Sequence, residues 1–369
     1  MESVAASTRC ADASGTLSDF HFDLPPELIA QVPAERRDHA RLMVLDRRLG
    51  ALTHTHVHAL PDHLRHSDLL VVNDTKVIPA RLFGRTASGG AVEVLLIRAL
   101  SAARLPHDSV GPATESWLCL GRPAKRLRAG KQLIFPESVS ATITSVHGNG
   151  QYTITFEDAA TVQALLERHG EIPLPPYIHR PDGPLPLDQT RYQTVFASVP
   201  GAIAAPTAGL HFSDELLAAL QQRGVEIARL TLHVGPGTFL PIRSARLEDH
   251  VMASEWCDIP PSTAARIRAV KAAGGRIVAV GTTTTRALES AASEHAVVAS
   301  GPRWADRFIV PGYQFRIVDA LFTNFHLPGS TLLLLVSAFA GHERILSTYA
   351  EAVRRGYHFY SYGDAMLIQ

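Results

Sequence analysis

Cysteine is scarce in this chain and never clustered. Cys10, Cys119 and Cys257 stand far apart, odd in number and without a CxxC pair. That argues against a disulfide framework and a thiolate zinc site, and it fits a reducing cytoplasm. Neither sign of charge is in excess, with 35 Lys+Arg against 35 Asp+Glu, so any nucleic-acid site must be a local patch. No apolar signal segment opens the sequence; residues 1–19 are small and polar and read as a disordered tail. The apolar run Leu332–Val336 is broken by Ser337, whereas a spanning helix needs ~20 apolar residues, so a buried helix behind an N-cap at Ser330 or Thr331 is expected, with no membrane contact. Neither GxGxxG nor a Walker loop occurs, so nothing supports nicotinamide or ATP. No internal repeat is visible.

What is present suffices for a packed protein of one large domain or two ordinary ones: 369 residues, 46% apolar and 19% charged. "RLMVLDRRLGALTHTHV" (41–57) reads as two strands around a turn. In "DLLVVNDTKVIPARLFG" (68–84) a strand meets a polar loop and then a second extended run, with Pro79 unsuited to a central strand. "AVEVLLI", "SWLCL", "KQLIF", "SATITSV" and "QYTITF" follow as short strands, the last pair closed by Gly148-Asn149-Gly150; this texture predicts a small barrel. After Phe156 come a helix ending at Gly170, a proline-rich connector (171–186), and α/β units. Helices are predicted over 213–224 and 261–275, a strand over 225–234, and a central, nearly all-apolar strand over 276–281. The predicted fold is a layered α/β main domain (20–76 and 158–369) with an inserted small β-barrel domain (77–157).

Four loops beside these elements are dense in small and polar residues: "APTAGLHF" (205–212), "LHVGPGTF" (232–239), "VGTTTTR" (280–286) and "TNFHLPGST" (323–331). A turn alone needs no His211, His233, Arg286, Asn324 or His326. In open α/β sheets ligands sit beyond the carboxyl ends of strands, and helix N-termini receive carboxylates or phosphates. Together the four loops predict a pocket. His54, His56 and His58 alternate as on one face of a strand, either a metal site or an exposed face; no carboxylate or cysteine accompanies them in a motif, so no metal is expected. The basic stretch "GRPAKRLRAGK", with Arg122, Lys125, Arg126, Arg128 and Lys131, is a solvated turn or a phosphate-contacting patch.

The strings "GAIAAPTAGLHF", "TLHVGPGTFLPIR", "DHVMASEW", "VAVGTTTTRALES", "VDALFTNFHLPGSTLLLLVSAFAG" and "YSYGDAMLI", with "FDLPPELIAQVP", "LLVVNDTKVIPARLFG", "GRPAKRLRAG" and "IPLPPYIHRP" upstream, resemble the S-adenosylmethionine:tRNA ribosyltransferase-isomerases of queuosine biosynthesis (the QueA family). The resemblance runs in chain order from about Phe20 to Ile368. It implies an α/β domain with an inserted barrel. It also implies S-adenosylmethionine as a ribosyl-donor substrate, with no prosthetic group. The acceptor is 7-aminomethyl-7-deazaguanine at the wobble position of tRNA, the product is epoxyqueuosine, and adenine and methionine are released. Three positions depart from the pattern: Ala253 stands where a histidine is expected, His179 where Asp or Lys is expected, and "VNDTK" replaces Asn-Asn-Thr-Arg.

Such chemistry needs a base for a C5′ proton acidified by the sulfonium, an acid for adenine, and dipoles around developing charge. His211, His233, His250, Glu255, His326 and Asp364 are the proton carriers on offer, with base and acid unassigned among them. Thr207, Gly209, Gly235, Gly237, Thr282, Thr283, Arg286 and Asn324 are expected to bind the donor, Arg286 and the threonines at its methionine carboxylate. Phe212, Phe239 and Phe325 are candidates to stack on adenine or on a flipped base. Two other classes are compatible with the motifs: a methyltransferase, which would release S-adenosylhomocysteine, and a non-catalytic RNA-binding protein built on the barrel.

Overall fold

The structure, a computed structural model, describes residues 16–369 apart from 101–113, 158, 182, 239–241, 243, 245 and 251. The chain opens with β1 (Arg41–Leu45), β2 (Leu52–His56), β3 (Leu69–Asn73) and β4 (Thr75–Val77). Six strands then close into a barrel: β5 (Arg81–Thr86), β6 (Ala91–Ala99), β7 (Glu115–Arg122), β8 (Gln132–Ile134), β9 (Ser140–Gly148) and β10 (Gln151–Phe156). Alternate residues such as Leu82, Val94, Leu96, Cys119, Ile143 and Ile154 fill it, and Val162, Leu165 and Leu166 of α1 (Ala159–His169) join that core. This is the period-2 pattern expected of a small barrel whose inward face is filled by side chains.

The rest of the chain supplies α2 (Pro186–Arg191), β11 (Val199–Ala202), α3 (Asp214–Gln222), β12 (Glu226–Leu232), β13 (Glu255–Ile259), α4 (Pro261–Ala272), β14 (Ile277–Val280), α5 (Thr282–Ala291), β15 (Gly301–Ala305), β16 (Ala320–Asn324), α6 (Thr331–Ala340), α7 (His342–Arg354) and β17 (Ala365–Ile368). Among the described residues nine strands form one sheet, in the order β15-β13-β12-β3-β14-β16-β17-β1-β2. Strands β12, β3, β14 and β16 run parallel, and β17 returns antiparallel to β16. The central strands are buried on both faces. Leu69, Val71, Ile277 and Ala279 point to the layer holding α5 to α7, and Leu70, Val72, Val278 and Phe322 to the layer holding α3. A strand covered on both sides has no polar face, which is why "IVAV" is unbroken.

The helix after the polar knot starts where the sequence places it: Ser330 caps α6 by accepting from the Leu333 amide at 3.2 Å. Among the described residues no helix is long and apolar enough to cross a membrane. Two readings change. The tail expected over 1–19 is ordered from Thr16, where Leu17–Phe20 forms a 3-10 turn with Phe20 buried. His58 leaves the strand of His54 and His56 for the 3-10 turn Val57–Asp62; His54 bonds the Tyr357 hydroxyl at 2.8 Å, and His56 stacks on His58.

Candidate active site

The carboxyl ends of β12, β14 and β16 meet the approach to β17 at one edge of the sheet, because β17 runs opposite to β16. There a pocket of ≈ 520 Å³, open mouth included, is lined by Thr207, Ala208, Val234, Gly281, Thr282, Thr283, Thr323, Asn324, His326 and Leu332, together with Tyr177, Tyr360 and Ser361. Three of the four polar loops thus converge on it through two or more residues, and "LHVGPGTF" contributes Val234.

Two helices start at this pocket, and they differ. The α6 N-terminus is closed by Ser330. The α5 N-terminus is open: its cap is Gly281, at φ +91, which has no side chain to offer. Thr284 and Thr285 turn their hydroxyls back to the carbonyls of Val280 and Gly281, at 2.7 and 3.1 Å. The Thr283 hydroxyl, in a residue 7% exposed, is buried without a hydrogen-bond partner among the described residues. Free first-turn amides, the positive end of the dipole and an uncommitted hydroxyl make this the place for an anion.

His326 lines the pocket and lies 2.9 Å from the Thr323 hydroxyl through Nε2. Burial pushes its pKa down to about 3, so the ring is neutral at physiological pH. His211 sits one layer behind. Its Nε2 is 3.0 Å from the Asn324 side-chain nitrogen, and burial, helped by Arg37, pushes it down to about 4. Tyr360 holds a left-handed backbone at φ +75, and its carbonyl accepts from Gly363 and from Asn324, both at 3.0 Å. A non-glycine residue held there signals a locally over-determined structure, a frequent property of functional sites.

Several expected site residues lie elsewhere. Arg286 and Glu255 form a buried ion pair; Arg286 also donates to the carbonyls of Arg307, Ala253 and Ala305, and Glu255 accepts from the Gly235 amide. Their groups are committed to each other, and neither lines the pocket. Ala253, where a histidine was expected, contributes its carbonyl to that arginine. His233 bonds the Thr75 hydroxyl at 2.8 Å and stacks on Trp256, with its pKa lowered by burial against the opposing pull of Asp74. Asp364 accepts from the amides of Arg41 and His358, each at 2.8 Å, and burial raises its pKa; it clamps a loop onto β1. Gly209 packs on Phe196 and Thr194, and Gly237 lies in a 3-10 turn outside the pocket lining. His250 packs on Phe308.

Phe212 and Phe325 are fully buried core residues, not stacking platforms; Phe239 lies outside the described residues. The sequence reading missed Tyr177, Tyr360 and Ser361. Tyr177 follows Pro176 in "IPLPPYIHRP" and Tyr360 opens "YSYGDAMLI"; neither motif carries a signal of which way its ring turns. Their rings meet edge to face at 3.8 Å, and Tyr177 bonds the Ser361 hydroxyl.

A second, larger groove runs between the barrel and the proline-rich connector, past Phe83, Arg122, Gly150, Pro175, Ile178 and His179. Beside it, Arg122 pairs with Glu93, and Arg126 donates to the Ala91 carbonyl at 2.6 Å. Lys125, Arg128 and Lys131 are exposed. Among the described residues no group of three or more His, Cys, Asp or Glu side chains could hold a metal ion.

An α/β sheet with a pocket at its carboxyl edge, an open helix N-terminus and neutral imidazoles beside it is the arrangement of an enzyme whose small-molecule substrate carries a carboxylate or other anionic group. Comparison with known proteins narrows this. The family model described as queuosine biosynthesis protein matches residues 17–368. The S-adenosylmethionine:tRNA ribosyltransferase-isomerase of Citrifermentans bemidjiense is 52% identical over 353 residues, 95% of this chain and 99% of that protein. That of Gloeobacter violaceus is 50% identical over 350 residues, 95% and 94% respectively. The crystal structure of the S-adenosylmethionine tRNA ribosyltransferase from Thermotoga maritima matches with a TM-score of 0.53 at 36% identity, covering 95% of this chain and all of that one. The chain belongs to the queuosine-biosynthesis family of S-adenosylmethionine:tRNA ribosyltransferase-isomerases.

Proposed function

We propose that this protein transfers and isomerises the ribosyl moiety of S-adenosylmethionine onto 7-aminomethyl-7-deazaguanine at the wobble position of tRNA, giving epoxyqueuosine-tRNA, adenine and methionine. The observation that carries the reading is the match along nearly the whole length of relatives bearing that activity in their name. The open α5 N-terminus, facing the pocket with the unpartnered Thr283 hydroxyl, supports it as a seat for the methionine carboxylate. Of the groups expected at that carboxylate, Thr282 and Thr283 keep the role in this reading, and Arg286, which Glu255 already occupies, does not.

Of the expected proton carriers, His326 has the position that supports a direct role. It lines the pocket and is held unprotonated by burial, the state a base for the C5′ proton requires. A pKa this low makes it a weak base, so catalysis would rest on the sulfonium acidifying C5′ and on proximity. Burial raises the pKa of both Tyr177 and Tyr360, which keeps their hydroxyls protonated and able to donate to a leaving base. The barrel strands run from Arg81 to Phe156, and we take 77–157 as an inserted domain that meets tRNA. The side chains of Lys125, Arg128 and Lys131 are exposed, with no partner among the described residues, and are the phosphate contacts in this reading; Arg122 and Arg126 serve the barrel itself. The cytoplasm, where tRNA is modified, is the compartment that goes with it.

Purified protein, S-adenosylmethionine and tRNA carrying the aminomethyl-deazaguanine base should together release adenine, read by chromatography. Adenine released equally well without the modified tRNA, or S-adenosylhomocysteine as product, would exclude the reading.

A further inference from the structure

Asn324 ends β16 with its side chain 2% exposed and in the pocket lining. Its amide nitrogen has two protons, and both have acceptors: the Tyr360 carbonyl and His211 Nε2, each at 3.0 Å. The orientation follows from chemistry. A carbonyl only accepts, so the amide must turn its NH2 toward Tyr360. The same NH2 then faces His211, whose Nε2 must accept, leaving the imidazole neutral with its proton on Nδ1. The remaining polar atom, Asn324 Oδ1, has no partner among the described residues and belongs to the pocket. Strands β14 and β16 are neighbours, roughly 4.8 Å apart, so this acceptor stands about one strand spacing from the open N-terminus of α5. One end of the pocket therefore offers donors and its neighbour an acceptor. An α-amino acid presents that pair in reverse, a carboxylate and an ammonium on one carbon.

We propose that His211 is a positioning residue. Through Asn324 it fixes an acceptor for the α-ammonium of the amino-acid end of the donor, and it moves no proton in the reaction. The proposal rests on the reading of this pocket as the S-adenosylmethionine site. It separates the roles of the two buried histidines: His326 faces the ligand, and His211 faces Asn324. The low pKa of His211 keeps Nε2 an acceptor across the working pH range.

The test measures kcat and KM for S-adenosylmethionine by adenine release at saturating modified tRNA, in the full chain. His211→Gln keeps an acceptor for the Asn324 amide, and it should hold KM within about threefold and leave kcat and its pH profile unchanged. His211→Leu frees that amide, and it should raise KM roughly tenfold or more with kcat within a few-fold. A fall in kcat of ~10²-fold or more in His211→Gln, or a displaced pH profile, would overturn the proposal, since that is the mark of a proton carrier. A second arm survives poor folding of these variants. The wild-type protein should discriminate against a deaminated S-adenosylmethionine analogue by roughly 10- to 150-fold in KM, and Asn324→Ala should discriminate by less than threefold. Equal discrimination in both proteins refutes the ammonium contact. Thr283→Val separates the two levels: if it raises KM while the His211 and Asn324 arms fail, this inference falls and the pocket reading stands. If Thr283→Val too leaves KM unchanged, the pocket reading falls with it.

Discussion

Thr283→Val is the sharpest perturbation the structure offers, because it should move binding and stability in opposite directions. The threonine hydroxyl is buried without a partner, and valine has nearly its shape. In the free protein the change removes an unsatisfied polar group, whose burial costs about 1–3 kcal/mol. Both residues are β-branched and of similar helix propensity, so the helix itself is indifferent. The variant should therefore be as stable as the wild type or more so, by about 1 kcal/mol, which in a chain this large moves Tm by roughly 2 °C. With S-adenosylmethionine bound, the hydroxyl donates to a carboxylate, a hydrogen bond to a charged group contributing about 1.5–3 kcal/mol. Its loss should raise KM for S-adenosylmethionine by roughly 10- to 150-fold, at 1.4 kcal/mol per tenfold. Thermal melts of the ligand-free protein and adenine-release kinetics give the two numbers. A lower Tm with unchanged KM would mean that the hydroxyl has a structural partner and that the carboxylate sits elsewhere.

Other perturbations reach other parts of the molecule. Alanine at Lys125, Arg128 and Lys131 should weaken tRNA binding for every sequence and lower the slope of log K against log[salt] by about 0.7–0.9 per lost phosphate contact; an unchanged slope makes the turn a solvated loop. His326→Gln, whose side-chain amide can either donate to or accept from the Thr323 hydroxyl, should cut turnover by ~10²-fold or more with a near-normal melt. Leu333→Ala, at a fully buried position, should cost about 2–5 kcal/mol of stability and leave the rate per folded molecule intact; the reverse pattern would make the histidine structural. Acid should destabilise the fold through His211 and His326. Their folded pKa values, about 4 and about 3, lie below the ordinary 6.5. The unfolded chain thus binds protons the folded one refuses, and stability present above pH 6.5 is lost as pH falls. Each site contributes about 1.4 kcal/mol per pH unit well below 6.5. Urea midpoints between pH 7 and pH 5 should fall less steeply in the double variant His211→Gln/His326→Gln, and parallel curves would show that both rings titrate normally.

The strand "RIVAVG" and the cap at Ser330 were legible because local pattern alone decides them: a strand covered on both faces must be apolar, and a helix start needs an acceptor. The barrel was legible for the same reason, through strands of period 2 separated by turns. Convergence of the polar loops on one pocket could be inferred because strands of this fold class end at one edge. The partnerships inside the loops could not. Arg286 and Glu255 are 31 positions apart, and their pairing depends on β13 and α5 being brought side by side. Phe325 sits between Asn324 and His326 in the knot, yet its ring turns into the core against Tyr349, Tyr357 and Phe359. Tyr177 enters the pocket from a connector whose prolines announce stiffness and say nothing of direction.

The short turn at Leu17–Phe20 marks how far the chain can be cut back. The Phe20 carbonyl accepts from the Gly329 amide at 2.9 Å, the Asp19 carbonyl bonds the His342 ring at 2.8 Å, and the Phe20 ring lies 4.5 Å from that imidazole. Gly329 belongs to the loop that joins His326 to α6. A truncation stopping at Gly15 leaves this clasp whole. One that runs through Phe20 strips a buried aromatic ring from the core, a loss on the scale of a Phe→Ala change at about 3–5 kcal/mol, and unties the outer side of the loop that carries His326. Shortened proteins beginning at Thr16 and at His21 should thus differ at the pocket, although the pocket lining includes no residue of the segment removed.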